Sequence, residues 1–345
     1  MMRSFISSSV FSAVLLFAAA VNAQTPQAPP VPRTPHVPPT PRVAPAAPSF
    51  PGQTTDTELR VAAERNVNLK FCISEGTLKI NGWDRNEVRI FARSGRKFGI
   101  RVLERSPESG NATWIWATPT AIEGQTAANR GECLSGETIE MDVPHGATLN
   151  FQGRSATTSV DSVHKVSLKI VEGNISLRNI TGGISATALQ GDLIVSNSSG
   201  SVSLDSTTGN VIAYGVKPLE TSDLLKVKTN SGSIMLQRVG HRQIEANSIT
   251  GSLQFEGGFL VGGIYNFKTS NGAIRMLVPE NGSCTVSAAY GFGSFNAAIP
   301  VETVTENVTP GGKIVVARIG SGELCNVSLT TSSGRILIAR LEPKN

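Results

Sequence analysis

The sequence predicts an all-β protein whose repeats stack into a β-solenoid, parallel β-helix-like, with an N-terminal β cap. Two observations predict this fold: regularly spaced glycines in the middle of the chain, and an apolar alternation after each of them. The glycines follow one another at nine-residue intervals, at Gly173, Gly182, Gly191, Gly200 and Gly209. A fixed sequence period is typical of a repeat architecture rather than of an active site.

Each repeat has the pattern of a short strand with one buried face. The third position is always aliphatic and the fifth is always apolar. The residues concerned are Ile175, Ile184, Leu193, Val202 and Val211 at position three, and Leu177, Ala186, Val195, Leu204 and Ala213 at position five. Residues i and i+2 of a strand point to the same face, so we expect all of these side chains in the core. The glycine before each strand is expected at a tight turn.

The same glycine and apolar pattern continues towards the C-terminus with longer steps. Its glycines are Gly232, Gly251, Gly272 and Gly334. The steps between the first three are each about twice the earlier period. This spacing predicts a coil of two strands with insertions at the corners. Each coil needs its neighbours to bury its apolar face.

The two-strand coil makes a specific prediction about pairing. Strands that begin near Gly173, Gly191 and Gly209 should be parallel neighbours, and Gly182 and Gly200 should begin strands of the opposite face. The alternative is an antiparallel β-sandwich or meander, in which the strands after Gly173 and Gly182 pair directly.

The first residues have the features of a secretory signal peptide, predicted over 1–23. Arg3 gives a positive start, an apolar run extends from Val10 to Val21, and small residues precede a cut after Ala23. The run is shorter than the roughly 20 residues that span a bilayer, so no transmembrane segment is expected in the mature chain.

Residues 24–54 are predicted to be a Pro-rich disordered linker. Eleven of the 19 prolines lie between Gln24 and Gly52, and that stretch contains no acidic residue. Such a composition cannot form a core and favours extended polyproline II, which acts as a spacer.

Residues 55–160 are predicted to form the N-terminal β cap region, and residues 161–345 the β-solenoid repeat region. The nine-residue period is absent from the first region, but strand signals occur at Asn68–Phe71, Thr77–Ile80, Val88–Ala92 and Ile100–Leu103. A cap is expected because the open end of a solenoid is an unpaired sheet edge.

The four cysteines, Cys72, Cys133, Cys284 and Cys325, are disulfide candidates in an exported chain. Four cysteines allow three connectivities, and proximity in sequence favours 72–133 with 284–325. No pair has the Cys-x-x-Cys spacing of a metal site.

The search for chemistry in the repeats predicts no catalytic residue, no cofactor and no metal ligand. Asn174, Asp192 and Asn210 recur at every second repeat and should stack at one corner, where they satisfy turn hydrogen bonds rather than hold a cation. Asp192 and Asp205 occupy different repeat positions and should point in different directions. A pair of converging carboxylates, as a glycosidase requires, is therefore not expected.

Other residues of functional interest also receive structural interpretations. No metal-ligand spacing occurs among the four histidines, which are expected on the surface: His36, His145, His164 and His241. Trp114 and Trp116 flank Ile115, so both rings should face one side; packing inside the cap is favoured over stacking on a sugar. The net charge of +5 is too slight and dispersed for a nucleic-acid partner.

Two segments carry a resemblance to a known family. The first is Gly76-Thr77-Leu78-Lys79-Ile80-Asn81-Gly82-Trp83-Asp84, followed by Glu87-Val88-Arg89-Ile90, and the second is Val143-Pro144-His145-Gly146-Ala147-Thr148-Leu149. Both resemble the bacterial "putative adhesin" family, a domain of unknown function in exported proteins. The likeness extends from about Val67 to Leu341. It implies a repetitive, β-rich exported fold and brings no catalytic residues.

Together these patterns predict an exported, non-catalytic binding or scaffold protein of the bacterial cell envelope. It would be adhesin-like and would contact a glycan or another envelope surface. The location would be the periplasm, the cell surface or the extracellular space. Two alternatives remain: a carbohydrate-active enzyme on a β-helix, and a purely structural or regulatory envelope protein. The ligand and the oligomeric state are left open by the sequence.

Overall fold

The protein is all-β in a computed structural model that describes residues 55–120, 133–279, 282–321 and 324–341. These residues form 22 strands in one continuous hydrogen-bonded sheet system, and they contain no helix. The described residues belong to one compact unit, 51–345. The predicted signal peptide 1–23 and linker 24–54 lie outside the described residues.

The strands fall into an N-terminal, a central and a C-terminal group. The N-terminal strands are β1 Thr55–Trp83, β2 Glu87–Gly95, β3 Phe98–Arg105, β4 Ala112–Pro119, β5 Leu134–Pro144 and β6 Thr148–Asp161. The central strands are β7 Lys165–Glu172, β8 Ile175–Arg178, β9 Ile184–Gln190, β10 Leu193–Ser196, β11 Val202–Thr208, β12 Val211–Tyr214, β13 Leu224–Ser231, β14 Ile234–Gln237, β15 Gln243–Thr250, β16 Leu253–Glu256, β17 Gly263–Asn271 and β18 Ile274–Val278. The C-terminal strands are β19 Cys284–Ala297, β20 Glu302–Thr309, β21 Gly312–Ile319 and β22 Cys325–Arg340.

The central strands form a two-sheet solenoid in which each coil has one longer and one shorter strand. The shorter strands β8, β10 and β12 are parallel neighbours, with Leu193 aligned to Ile175 on one side and Val211 on the other. The longer strands β7, β9, β11 and β13 form the opposite sheet, also in parallel. The pairing predicted from the glycine spacing is confirmed. The antiparallel meander is wrong for this part of the chain.

A ladder of glycines forms the corner between the longer and the shorter strand of each coil. At Gly209 the backbone has φ +152°, a conformation that side-chain-bearing residues rarely adopt, and a Cβ there would overlap the carbonyl oxygen of Gly191. The same overlap with the preceding glycine recurs at Gly232, Gly251, Gly272 and Gly334. The glycines of this corner therefore stack directly on one another, since no side chain fits there between neighbouring coils.

The core runs between the two sheets and contains every apolar residue predicted at positions three and five. Each is buried, for example Leu193 and Val211 at 0% exposed. The core is one continuous cluster that extends from Ala63 to Ile338. Because alternate residues of a strand face opposite ways, the apolar positions three and five were sufficient to identify the buried face.

A buried hydroxyl column, which the sequence analysis missed, lies beside the glycine corner. One inward position of successive longer strands carries Ser or Thr, and each hydroxyl donates to the carbonyl of a corner glycine one coil earlier. The bonds run from Ser206 to Gly191, Thr229 to Gly209, Ser248 to Gly232, Thr269 to Gly251 and Thr331 to Gly272. A Ser or Thr at the third position before the glycine is the sequence signal that marks this column, and it occurs before Gly209, Gly232, Gly251, Gly272 and Gly334.

At the N-terminal end, β1 bends around the stack and contributes to both sheets. Its residues 55–62 pair antiparallel with β2, residues 68–81 pair parallel with β6, and residues 73–83 pair parallel with β5. The strands expected at 68–71 and 77–80 are therefore parts of one bent strand. The boundary between cap and repeat regions at 160/161 stays a prediction; β6 runs across it.

At the C-terminal end, β22 forms the last full coil and β19 lies against it. β22 pairs in parallel with β17 and β18, and β19 pairs in parallel with β22. An antiparallel hairpin of β20 and β21 extends the sheet of longer strands. Ile299 and Val301 pack against the end of the core between β19 and β20.

Each end of the stack carries one disulfide. Cys72 bonds to Cys133 with a Cα–Cα distance of 4.8 Å, and Cys284 bonds to Cys325 at 4.7 Å. These are the pairs that sequence proximity favours. The first joins β1 to the residue before β5, and the second joins β19 to β22.

Candidate functional site

A shallow groove crosses the outer side of the longer strands. We call this side the broad face: β4, β7, β9, β11, β13, β15 and β17, with residues 68–74 of β1 and 148–155 of β6. The outer side of the other sheet, the narrow face, comprises β2, β5, β8, β10, β12, β14, β16 and β18, with residues 77–83 of β1 and 156–161 of β6. The groove has a volume of about 430 Å³ and crosses β7, β9, β11 and β13.

Small residues make the floor of the groove. Ser167, Ser185 and Ser203 align across β7, β9 and β11, and Lys226 of β13 follows in the same row. Lys165 lies at the other end of the groove. The lining of the groove therefore contains these three serines together with one lysine from β7 and one from β13.

The serine row continues along the stack to a tryptophan. Ser167 aligns with Asn150, Asn150 with Lys70, and Lys70 with Trp116. The Lys70 Nζ lies 5.9 Å from the centre of the Trp116 ring, a cation–π geometry. Three strand spacings, about 14 Å in all, separate Trp116 from Ser167.

Both predicted tryptophans lie on this face rather than in the cap interior. Trp114 and Trp116 are each 39% exposed, while Ile115 between them is fully buried. The expectation that they share one side is correct, but the expectation of packing inside the cap is wrong. Strand alternation turns Ile115 inward, and β4 therefore presents both indoles outward.

A loop that follows β12 borders the groove. Asp223, just before β13, accepts hydrogen bonds from the backbone of Leu219 and Glu220 and from the hydroxyl of Ser201, which lines the groove. These hydrogen bonds lower the pKa of Asp223 below its ordinary value. The bond from the Glu220 backbone has the largest effect, and the bonds from Ser201 and Leu219 act in the same direction. The carboxylate is committed to holding this loop against the neighbouring coil.

His241 is buried beneath this region, contrary to the expectation of four surface histidines. It is 1% exposed, and its Nε2 lies 2.9 Å from the carbonyl oxygen of Gly200, to which it donates. Within the described residues its Nδ1 has no hydrogen-bond partner. Burial has the largest effect on His241 and lowers its pKa below the ordinary value. The hydrogen bond to the Gly200 carbonyl and the charge of Asp223 act in the opposite direction.

The other histidines differ from His241. His164 is exposed, with its ring beside Gly182. His145 is part-buried and donates through Nδ1 to the carbonyl of Ser162 at 2.8 Å. His36 lies outside the described residues. His241 lies near Asp223 of the loop after β12, which the sequence pattern shows only as a longer step between glycines.

The predicted corner ladder of Asn174, Asp192 and Asn210 forms and is occupied by backbone hydrogen bonds. The Asp192 amide donates to Asn174 Oδ1 at 3.0 Å, and the Asn210 amide donates to Asp192 Oδ1 at 2.7 Å. The Ser233 amide continues the series to Asn210 Oδ1. These oxygens close turns between coils, as expected from their recurrence at every second repeat.

Two acidic groups of the broad face are each held by a lysine of the adjacent strand. Glu245 lies 3.4 Å from the Lys226 ammonium, and Asp205 lies 4.0 Å from that of Lys228. No group of three or more His, Cys, Asp or Glu arranged for a metal ion occurs in the part of the chain that the structure describes. Among the same residues, no helix has the length and hydropathy needed to cross a membrane.

The fold and the groove define a two-sheet β-solenoid with a polar outer track. The chain belongs to the Toastrack DUF4097 family, whose model matches residues 51–339. No curated protein gives a significant match.

Two solved structures are similar to the chain. One is a putative cell adhesion protein from Clostridium sporogenes ATCC 15579, at 11% identity and TM-score 0.24, over 83% of this chain and 100% of that one. The other is a putative lipid binding protein from Parabacteroides distasonis ATCC 8503, at 10% identity and TM-score 0.34, over 84% and 98%. Both TM-scores are low, so neither name bears on what this chain binds.

Proposed function

We propose that this protein is an exported, non-catalytic, adhesin-like binding protein of the bacterial cell envelope, whose broad face contacts a glycan. One observation carries the proposal: the exposed Trp116 lies in the same outward row as Asn150 and the groove serines Ser167, Ser185 and Ser203. An aromatic platform and a row of hydrogen-bonding groups thus share one surface.

The chemistry of this row suits a sugar chain. A flat indole offers apolar area to the C–H face of a sugar ring at little entropic cost. Serine hydroxyls both donate and accept hydrogen bonds, as sugar hydroxyls require, and Asn150 adds an amide that does both. The strand spacing of about 4.8 Å repeats these groups at regular intervals along the stack, which suits a polymer with its own repeat.

The arrangement of acidic groups supports a non-catalytic role. A glycosidase places two carboxyl groups about 5 to 10 Å apart across one sugar. On the broad face, Glu245 and Asp205 are each paired with a lysine, and Asp223 holds the loop beside the groove. Carboxylates that are neutralised or committed to structure are poorly suited to act as acid and nucleophile.

Two features support export. Both ends of the stack carry a disulfide, and such bonds persist in oxidising compartments. Residues 1–23 have the pattern of a secretory signal peptide. We place the protein in the periplasm, at the cell surface or outside the cell.

The test is a glycan array with the chain from residue 24 to 345, followed by calorimetry with the best glycan. The double variant Trp114→Ala/Trp116→Ala should bind at least about tenfold more weakly, equivalent to about 1.4 kcal/mol. Phe292→Ala is the matched control, because Phe292 is an aromatic side chain 88% exposed on β19, away from the groove. An array without any bound glycan, or unchanged binding by the tryptophan variant, contradicts the proposal and favours a purely structural or regulatory envelope protein.

A further inference from the structure

The charges of the two faces point to the class of glycan. Resting on the proposed function, we infer that the ligand is an acidic polysaccharide with repeated anionic groups, bound along the groove between Lys165 and Lys226. The sequence alone gives a chain with a small net positive charge, and the fold sorts that charge unevenly between its two faces.

The broad face is basic. Its strand segments contain seven Lys or Arg and three acidic residues: Lys70, Arg154, Lys165, Lys169, Lys226, Lys228 and Lys268 against Glu172, Asp205 and Glu245. The narrow face is balanced and slightly acidic. Its segments contain five basic and six acidic residues: Lys79, Arg89, Arg93, Arg178 and Arg275 against Glu87, Glu137, Glu140, Asp142, Asp161 and Glu256.

The charges of the narrow face also neutralise one another directly. Arg89 pairs with Asp142 at 2.7 Å, and Arg178 pairs with Asp161 across adjacent strands. Burial by itself would raise the pKa of Asp161, but the Arg178 guanidinium and the hydrogen bonds to the carboxylate outweigh burial and lower that pKa. On the narrow face, therefore, Arg89 and Arg178 are partnered within the protein.

Several basic groups of the broad face have no such partner. Lys226 and Lys228 contact Glu245 and Asp205, but within the described ranges no acidic group pairs with Lys165, Lys169 or Lys268. Unpaired ammonium groups on one face create a positive potential that attracts a polyanion.

The positions of the two groove lysines fit a chain rather than a single small anion. Lys165 is on β7 and Lys226 on β13, three strand spacings apart and offset by two residues along the strand, which is roughly 16 Å between their Cα atoms. The serine floor between them offers hydroxyl contacts to the uncharged part of each sugar. A single exposed ion pair is weak, so the affinity must come from several contacts along one polymer.

The test compares anionic and neutral polysaccharides on the same protein, residues 24–345. Polygalacturonate supplies carboxylates, a phosphomannan supplies phosphates and dextran is the neutral probe. We expect one of the anionic polymers to bind at least tenfold more tightly than dextran, with the affinity falling as salt rises from about 0.05 to about 0.5 M, in the manner of screened ion pairs. Whichever anionic polymer binds more tightly shows whether the groove prefers carboxylate or phosphate groups.

The variant arm is Lys165→Ala/Lys226→Ala, with Lys79→Ala/Arg275→Ala as the matched control on the narrow face. The groove variant should lose at least fivefold in affinity for the acidic polymer and keep its affinity for any neutral glycan. The control should keep both. Circular dichroism melting curves establish that each variant is folded.

Three outcomes overturn the inference, and they differ from failure of the proposed function. Equal binding of acidic and neutral glycans overturns it while leaving glycan binding by the broad face intact. Loss of affinity in the control pair equal to that in the groove pair assigns the effect to overall charge. A single-stranded DNA oligomer that binds as tightly as the acidic polymer, through the same lysines, shows non-specific polyanion binding. Absence of binding to every glycan overturns the proposed function itself.

Discussion

At the scale of single residues, His241 differs most from the prediction, because the sequence predicts a surface histidine and the ring is buried. Its ring is buried among apolar coils, it donates one hydrogen bond to Gly200, and its other nitrogen is without a partner among the described residues. A protonated ring would need a second acceptor and would bury a charge. The nearest opposite charge identified is that of Asp223, which is engaged by Ser201 and the backbone of its loop.

This environment predicts a pH-dependent contribution to stability. The folded-state pKa of His241 is lowered below its unfolded value of about 6.5. The unfolded chain therefore binds a proton first as the pH falls, so stability is present above about pH 6.5 and is lost below it, with a slope of at most about 1.4 kcal/mol per pH unit. Urea unfolding between pH 5 and 8 measures the slope.

The variant His241→Gln keeps an amide donor for Gly200 and cannot titrate, so its stability should depend less on pH in this window. His164→Gln is the matched control, because His164 is exposed in the corresponding region of an earlier coil. If wild type and His241→Gln show the same dependence on pH, the buried neutral imidazole is not the cause.

At the scale of the element, the repeated unit is a longer strand, a glycine corner and a shorter strand. The corner holds three features together: the stacked glycines, the buried hydroxyl that bonds to a glycine carbonyl, and the Asn174–Asp192–Asn210 ladder just after it. Each satisfies backbone groups that would otherwise be unpaired at a bend between sheets. The sequence pattern identified the first and third features. It missed the hydroxyls because Ser and Thr are usually exposed, and only their inward register places them in the core.

The glycine ladder gives the clearest prediction for an element. Gly209→Ala places a methyl group against the Gly191 carbonyl, and φ +152° is a region almost restricted to glycine. Since the obstructing atom is backbone of a packed coil, the overlap cannot be relieved by a side-chain rotation. We expect a loss on the order of 3 kcal/mol in the free energy of unfolding, measured by chemical denaturation.

Gly311→Ala is the matched control for this ladder. Gly311 lies in the turn between β20 and β21, and a Cβ there would meet no atom within 4 Å. Its substitution should change stability by less than about 0.5 kcal/mol. Equal losses for the two substitutions would mean that close stacking of coils is not what requires glycine.

At the scale of the whole stack, the two ends differ from the middle. Central coils have neighbours on both sides, whereas β20 at the C-terminal end is exposed along its whole length and pairs only with β21 among the described strands. In a linear array the terminal units have fewer interfaces and open first. A disulfide near each end opposes this fraying.

Removal of the disulfide between Cys284 and Cys325 should destabilise the C-terminal end of the stack more than its middle. The two cysteines are separated by 41 positions in sequence, and the chain-entropy estimate for such a loop is about 4 kcal/mol. In Cys284→Ser/Cys325→Ser, amide hydrogen exchange should accelerate in β19, β21 and β22, while β8, β10 and β12 keep their protection. The reverse distribution, or no change in β19, would show that the bond does not clamp this end.

The amino-acid sequence by itself determined the solenoid, the parallel pairing and the buried face. The reason is that these depend on local periods: a glycine where two coils touch, and an apolar residue at every second position after it. Local pattern could not determine which outward side chains become neighbours. Ser185 and Ser203 are adjacent at the regular spacing of two repeats, whereas Ser203 and Lys226 are adjacent across a longer step, because the loop after β12 lengthens one coil. The groove and the row that links it to Trp116 arise from such inter-coil register, which only the tertiary structure fixes.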